Sequence, residues 1–341
     1  MNSKFAEMFA MPPAEIAGGD YFFTVPWFES EYPAAAQCDM SNEVIRARLE
    51  EGRADFRREF EMRTFDGDFD RERDYPWLES VKGANMDAEI AEIFAKIARE
   101  GIPFMDIASS EAMGLASLIL KLNPKTPCLV TDICPYFMKR LRAYINDELP
   151  ESDISIATFD NFDMPLRDNS VEYVTSLGAI SASSDMKPVD SRVMPHDEFG
   201  DMCRRKALGE VYRVLKPGGA FVTIEGSLEV EHDMRKIEEY FGEHELLFGM
   251  YTRDAVTAKL AEYDEWRSKY ALTEEKIIAT GFVIEKAKRH RCKLPLDVVA
   301  QYFSRTGDPV TAADGDRTDD LVNIYGCGTL YVLRKPKKEG L

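Results

Sequence analysis

Long apolar runs are the first thing this sequence lacks. No uncharged stretch approaches the ~18 residues that a membrane-spanning helix needs, and the N-terminal apolar residues are interrupted by Lys4, Glu7 and the pair Pro12-Pro13. Neither a signal peptide nor a transmembrane helix is expected. Cysteine is also sparse: Cys38, Cys128, Cys134, Cys203, Cys292 and Cys327 form no C-x-x-C pair, and the four histidines are scattered. That excludes a disulfide framework and a zinc site, and it points to a reducing, cytoplasmic compartment. Basic residues are the minority charge. With 43 Lys+Arg against 61 Asp+Glu the formal net charge is −18, which argues against nucleic-acid and anionic-membrane binding, because affinity for phosphate backbones comes mostly from Lys and Arg displacing counterions.

What is present is an ordinary globular composition, 45% hydrophobic and 30% charged over 341 residues. The length fits two domains or one large α/β domain with insertions. Residues 1–85 carry few strand signals, and Val44, Ile45, Leu49, Phe56 and Phe60 follow a helical period, so a helical N-terminal extension is expected there. A clearer amphipathic helix places Ile90, Ile93, Phe94 and Ile97 at i, i+3, i+4, i+7 and stops at Gly101. From residue 102 onward, short apolar runs alternate with helical patterns. Strands are predicted at 102–108, 128–133, 154–158, 171–177, 220–225, 282–288 and 329–333, with helices between the early ones. Such alternation implies a parallel sheet with right-handed crossovers. Two long connections, 229–276 and 292–326, read as insertions, and loops of that length usually border a site.

One helix-turn-strand joint carries more than architecture. An amphipathic helix with Leu208, Val211 and Leu215 on one face ends in Arg213-Val-Leu-Lys-Pro-Gly-Gly219, and a buried strand follows at once. The wording resembles the segment before the fifth strand of class I S-adenosylmethionine-dependent methyltransferases. A second segment, Asp160-Asn-Phe-Asp-Met-Pro-Leu-Arg-Asp-Asn-Ser-Val-Glu-Tyr-Val-Thr-Ser176, resembles the stretch of that family spanning its third turn and fourth strand. The resemblance covers roughly 101–336. It implies a Rossmann-like α/β fold with a seven-stranded, mostly parallel sheet closed by a terminal antiparallel strand pair, S-adenosyl-L-methionine as cofactor, and a site built from the turns after the first four strands. The 86–341 part would be the methyltransferase-like domain.

By this resemblance the first turn is Asp106-Ile-Ala-Ser-Ser-Glu-Ala-Met-Gly114, with Ala108, Ser110 and Ala112 where the family places glycines and Ser109 between them. A non-glycine residue at a position requiring φ > 0 costs on the order of 1 kcal/mol. After the second strand Asp132, 26 positions on from Asp106 and followed by Ile133, is placed to accept hydrogen bonds from ribose hydroxyls; its alternative is an N-cap of the next helix, and both roles can hold. Asp160, with Asn161 and Phe162, is the adenine candidate, its alternative an Asx turn. Ser176, Leu177 and Gly178 would face the methyl-bearing sulfonium or simply end a buried strand. For an acceptor that needs a base, the candidates are His196 and Glu225, which read otherwise as an exposed loop histidine and a cap or ion pair. The resemblance implies methyl transfer to a small molecule, with a homodimer possible. The rival readings are a non-catalytic scaffold of the same fold and an NAD-dependent oxidoreductase, the latter disfavoured by the missing G-x-G-x-x-G.

Three further features are notable. Asp66-Gly-Asp-Phe-Asp70 and Asp314-Gly-Asp316 lack the remaining positions of a calcium loop. Lys286, Lys288, Arg289, Arg291 and Lys293 form the one basic cluster. The aromatic group Tyr21, Phe22, Phe23, Trp27, Phe28 and Tyr32 reads as core packing or as a cover over the acceptor pocket, beside the cofactor cleft.

Overall fold

The computed structural model describes residues 3–23, 88–109, 113–133, 135–182, 196–225, 272–294 and 324–337. The N-terminal residues give helix α1 (Ser3–Ala6) and a hairpin of β1 (Glu15–Ala17) and β2 (Asp20–Phe22), turning at Gly18 and Gly19, both with positive φ. There follow α2 (Ala88–Glu100), β3 (Phe104–Ile107), α3 (Ala116–Leu122), β4 (Cys128–Asp132), α4 (Pro135–Glu148) and β5 (Ile154–Thr158). The second half contributes β6 (Val171–Leu177), α5 (Ala179–Ala182), α6 (His196–Val214), β7 (Leu215–Glu225), α7 (Glu274–Thr280), β8 (Val283–Leu294) and β9 (Ile324–Arg334).

The strands form one sheet in the order β1-β2-β5-β4-β3-β6-β7-β9-β8. Strands β2 to β7 pair in parallel along it, while β9 runs antiparallel to both β7 and β8. The seven expected strands are therefore β3 to β9, with the terminal antiparallel arrangement in place. The sheet has two more strands than expected. The N-terminal hairpin adds to the β5 edge, where Tyr21 pairs with Ala157 and Phe22 with Thr158. The expectation of a helical N-terminal extension is thus corrected for residues 15–22: Tyr21 and Phe22 extend an existing sheet edge whose backbone groups need partners, and that outweighs the weak local strand signal. The helical period at 44–60 lies outside the described residues.

The pleat sends alternate side chains to two apolar layers. Phe104, Cys128, Val130, Ile156 and Tyr173 pack under α2, α3 and α4 with Ile90, Phe94, Ile97, Ile119 and Leu141. Met105, Leu129, Ala157, Val174 and Phe221 pack on the other face with α6, α7 and the N-terminal Phe5, Phe9 and Tyr21. Strands buried on both faces explain the continuous apolar runs in the sequence. Strands β8 and β9 run further than the sequence suggested, so their connection spans 295–323.

Candidate functional site

The chain leaves β3 towards β4 and β5 on one side and returns to β6 and β7 on the other. The carboxyl ends of β3 and β6 therefore flank the point where strand order reverses, the position at which open α/β sheets leave a crevice. Two buried polar knots close that end of the sheet, one on each face.

The first knot is centred on Asp106, which is fully buried. Its Oδ1 accepts from the Ala116 backbone N–H at 3.2 Å and from the Thr175 hydroxyl, and its Oδ2 accepts from the Ser109 hydroxyl at 2.5 Å. Thr131 Oγ1 and the Ser109 hydroxyl also donate to the Asp106 carbonyl. Asp106 is thus committed to fixing the β3 turn against β6 and the start of α3. Two non-glycine residues of this segment take left-handed backbone: Ala108 has φ +49° and Met113 φ +59°. Gly114, at φ +39°, is the position where a side chain is excluded outright, since a Cβ there would lie 2.5 Å from Asp106 Oδ2. Ser110, Glu111 and Ala112 are outside the described residues.

The second knot holds the β6 end. Ser176 Oγ lies 2.6 Å from Thr223 Oγ1, and both hydroxyls meet Glu225 Oε1. Glu225 also accepts from the backbone N–H groups of Ile180, at 3.3 Å, and Ser181, at 2.8 Å. Burial holds its carboxyl above the usual carboxylate range, and the hydroxyl and amide donors offset only part of that rise. The carboxylate therefore caps α5, the cap alternative noted from sequence. Ser176 is fully buried and its hydroxyl faces this knot; Leu177 packs against the α2–α4 layer, and Gly178 turns the chain at φ +76°. His196 is the first residue of α6, and its side chain is not among those described.

The remaining predicted residues line up along the same end. Asp132 ends β4 almost buried, its carbonyl accepting from the Phe159 N–H at 3.2 Å, and the half-buried Ile133 follows. Asp160 follows β5 and its Oδ1 accepts from the Phe162 N–H at 2.8 Å, which is the Asx turn. Burial pushes the Asp160 carboxyl up to about 6, against the pull of the Phe162 amide and of Lys206. Beside it Asn161 Oδ1 is buried with no hydrogen-bond partner. The segment beyond is pinned to α6, where Glu210 Oε2 accepts from the Met164 N–H and Arg213 donates to the carbonyls of Met164 and Leu166.

Residues 106–223 match the family model described as a methyltransferase domain. The matched segment is about a third of the chain. It begins at the buried carboxylate of the first turn and ends inside β7, so it contains Asp106, Asp132, Asp160 and Ser176 but not Glu225 or the N-terminal hairpin. No curated protein matches the chain in sequence. Among solved structures, a candidate methyltransferase of Bacillus halodurans is similar at 17% identity, covering 72% of this chain and 99% of that one with a TM-score of 0.41. The YcgJ protein of Bacillus subtilis is similar at 16% identity, over 74% of this chain and 100% of that one, with a TM-score of 0.39. A Haemonchus contortus phosphoethanolamine N-methyltransferase, crystallised with phosphomonomethylethanolamine and S-adenosylhomocysteine, is similar at 16% identity, over 69% of this chain and 49% of that one, with a TM-score of 0.39.

Sequence reasoning missed Thr175, Thr223 and Ser109 as partners of the two carboxylates. The signal was available in part: polar residues at the ends of otherwise apolar strands need partners, and Asp106 and Glu225 were the acceptors within reach. It also missed the hairpin by which residues 15–22 join the β5 edge. No group of His, Cys, Asp and Glu able to hold a metal ion occurs among the described residues, and none of their helices is long and apolar enough to cross a membrane.

Proposed function

We propose that this chain transfers a methyl group from S-adenosylmethionine to a small-molecule acceptor by in-line displacement. The observation that carries the reading is the coincidence of the methyltransferase-domain match at 106–223 with an unpaired, buried acceptor at the end of β5. Leaving such an acceptor unsatisfied costs about 1–3 kcal/mol, and a ligand amino group at this point would recover it. The residues therefore fit the adenine end of the cofactor: Asn161 Oδ1 and Asp160 as acceptors, Phe162 supporting the turn. Asp132, at the neighbouring strand end, is the acceptor for ribose hydroxyls, with Ile133 beside it. Ala108, Ser109 and Ser110 form the turn against the methionine portion, while Asp106 acts from behind as a positioning residue through Ser109 and Ala116. Ser176, Leu177 and Gly178 bound the methyl-bearing end.

When bound, the cofactor supplies a sulfonium with an excellent leaving group. The protein's share is orientation and exclusion of water, which together can supply ~7–11 kcal/mol without a catalytic triad or metal. With Glu225 occupied as a cap, His196 is the base this reading assigns to a hydroxyl or amine acceptor. The domain would run over 86–341, with 1–85 as an extension and the insertions at 229–276 and 292–326 covering the acceptor side. The protein would be cytoplasmic, and homodimerisation is compatible with the reading.

A non-catalytic role is the second reading, and the specific observation behind it is that Ala108 and Met113 occupy left-handed backbone positions where glycine is unstrained. Calorimetric titration with S-adenosylhomocysteine and with NADH separates the possibilities. Saturable binding of the first alone supports the methyl-transfer reading, binding of neither supports the scaffold, and binding of NADH alone would overturn both.

A further inference from the structure

Residues 3–23 lie outside the matched segment 106–223, yet they grip the adenine-side loop at both of its ends. At the upstream end the Phe23 N–H donates to the Thr158 carbonyl and to Thr158 Oγ1, each at 3.2 Å, and the Phe23 ring packs edge-on against Phe159. At the downstream end the Ala10 N–H donates to the Pro165 carbonyl at 2.8 Å, the Arg167 N–H to the Met8 carbonyl at 2.7 Å, and Arg167 Nε to the Phe9 carbonyl at 3.1 Å. Phe9 joins the two ends. It is 5% exposed, and its ring stands 4.8 Å from both Tyr21 and Phe23.

The hairpin that carries Tyr21 and Phe23 is itself anchored by a buried ion pair. Arg142 on α4 meets the Asp20 carboxylate through Nε, at 2.7 Å, and Nη2, and Asp20 Oδ1 also accepts from the Ile156 N–H at 3.0 Å. Arg142 completes the clamp by donating to the Ile154 carbonyl. A 2%-exposed aspartate with a two-point guanidinium partner fixes geometry more than it adds net stability. The held element is β2, and what β2 holds in turn is the loop bearing Asp160, Asn161 and Phe162.

We propose that residues 3–23 are a positioning brace for the 159–167 loop, and that docking of this brace sets the affinity of the nucleoside half of the cofactor. The proposal rests on the methyl-donor reading above for the identity of the ligand. Its physical content is preorganisation: a loop whose ends are hydrogen-bonded on both sides and whose interior packs on Phe9, Tyr21 and Phe23 loses little freedom when it binds. Phe9 is the residue on which it turns, because it touches the aromatic residues of the upstream end while its carbonyl serves Arg167 at the downstream end. It also bridges backbone-to-backbone with Leu166.

The test is calorimetric titration of S-adenosylhomocysteine into the full-length chain and into Phe9→Ala, Phe9→Leu, Asn161→Ala and the Phe9→Ala/Asn161→Ala double variant, with amide hydrogen exchange of 159–167 followed in the ligand-free proteins. Phe9→Ala should speed exchange across 159–167 and weaken S-adenosylhomocysteine about tenfold, within the range usual for coupled sites. Phe9→Leu should recover most of that loss, and the double variant should bind less than additively weaker than the singles, since both act through one loop. If Phe9→Ala does not fold, Arg167→Met removes one tie with no core change and should show the same effects in smaller measure. Faster exchange with unchanged affinity would overturn the proposal, as would unchanged exchange. An unmodified chain that takes up no S-adenosylhomocysteine would overturn the donor reading together with the affinity claim, and the exchange data on ligand-free protein would still distinguish that failure from a brace that does not hold the loop.

Discussion

Gly114 lies so close to the Asp106 carboxylate that a Cβ added to it would stand 2.5 Å from Oδ2. The carboxylate has nowhere to go, because Thr175, Ser109 and the Ala116 amide hold it in place. Gly114→Ala must therefore break that knot or displace the start of α3, and its φ of +39° adds backbone strain. The expected loss is about 2–4 kcal/mol, the range for overpacking combined with a disrupted buried polar group. Urea unfolding checks this, and a change below ~0.5 kcal/mol would show that the knot is softer than its hydrogen bonds imply.

Ala108 stands in the opposite situation, a side chain where the backbone would accept glycine. At φ +49° it carries a left-handed penalty on the order of 1 kcal/mol. Ala108→Gly releases that strain but also enlarges the freedom of the unfolded chain, so the net gain in stability should be between zero and about 1 kcal/mol. S-adenosylhomocysteine affinity should rise by no more than about fivefold, because strain alone is being relieved. Loss of affinity would show that the Ala108 methyl contacts the ligand.

The architecture was legible because it is written in strong, repeated signals. The ends of β5 and β6 coincide with the predicted 154–158 and 171–177, since both strands are buried on two faces and bounded by turn residues. The hairpin at 15–22 was not legible. Its strands are three residues long, and their order depends on an open β5 edge contributed by residues more than 130 positions away. The candidate site was legible as positions, not as roles. Asp106, Asp160 and Glu225 stand at strand ends as expected, but whether a strand-end carboxylate faces a ligand or its own neighbours is decided by which hydroxyls and amides the fold delivers to it, and Thr175 and Ser181 arrive from other elements.

Asp160 gives a pH test with a definite sign. Burial raises its carboxyl from 3.8 to about 6 in the folded chain. Between about pH 4 and pH 6 the folded state therefore holds more protons than the unfolded one, so this group makes stability fall as pH rises through that window and then level off. Asp160→Asn should flatten that slope. Ligand binding should move the other way, S-adenosylhomocysteine tightening as pH rises through about 6 if the ionised carboxylate accepts the adenine amino group. A wild-type affinity that is flat across pH 5–7 would remove Asp160 from the adenine site.

Asp132 ends β4 at 8% exposure, with the Phe159 amide resting on its carbonyl. Replacing it with alanine should weaken S-adenosylhomocysteine by about 1–3 kcal/mol, the worth of a charged acceptor for ribose hydroxyls, while the melting temperature moves only slightly. Calorimetry and thermal melting together decide the point. A large fall in stability with unchanged affinity would assign the carboxylate to capping α4.

Glu225 distinguishes a cap from a base. Its two carboxylate oxygens accept from Thr223, Ser176 and the amides of Ile180 and Ser181, and the side chain is 2% exposed. Glu225→Gln keeps the shape but turns one acceptor into a donor pointed at donors, leaving at least one of these groups unsatisfied at a cost of about 1–3 kcal/mol. The Gly178 turn that follows β6, held by its amide on the Ile224 carbonyl at 2.8 Å, should loosen with it. A cap predicts lower stability with a pH profile of methyl transfer unchanged in shape. A catalytic base predicts the reverse, near-native unfolding with the acidic limb of the profile removed. Measuring both on the same preparation settles which the carboxylate is, and the hydrogen bonds it already makes favour the cap.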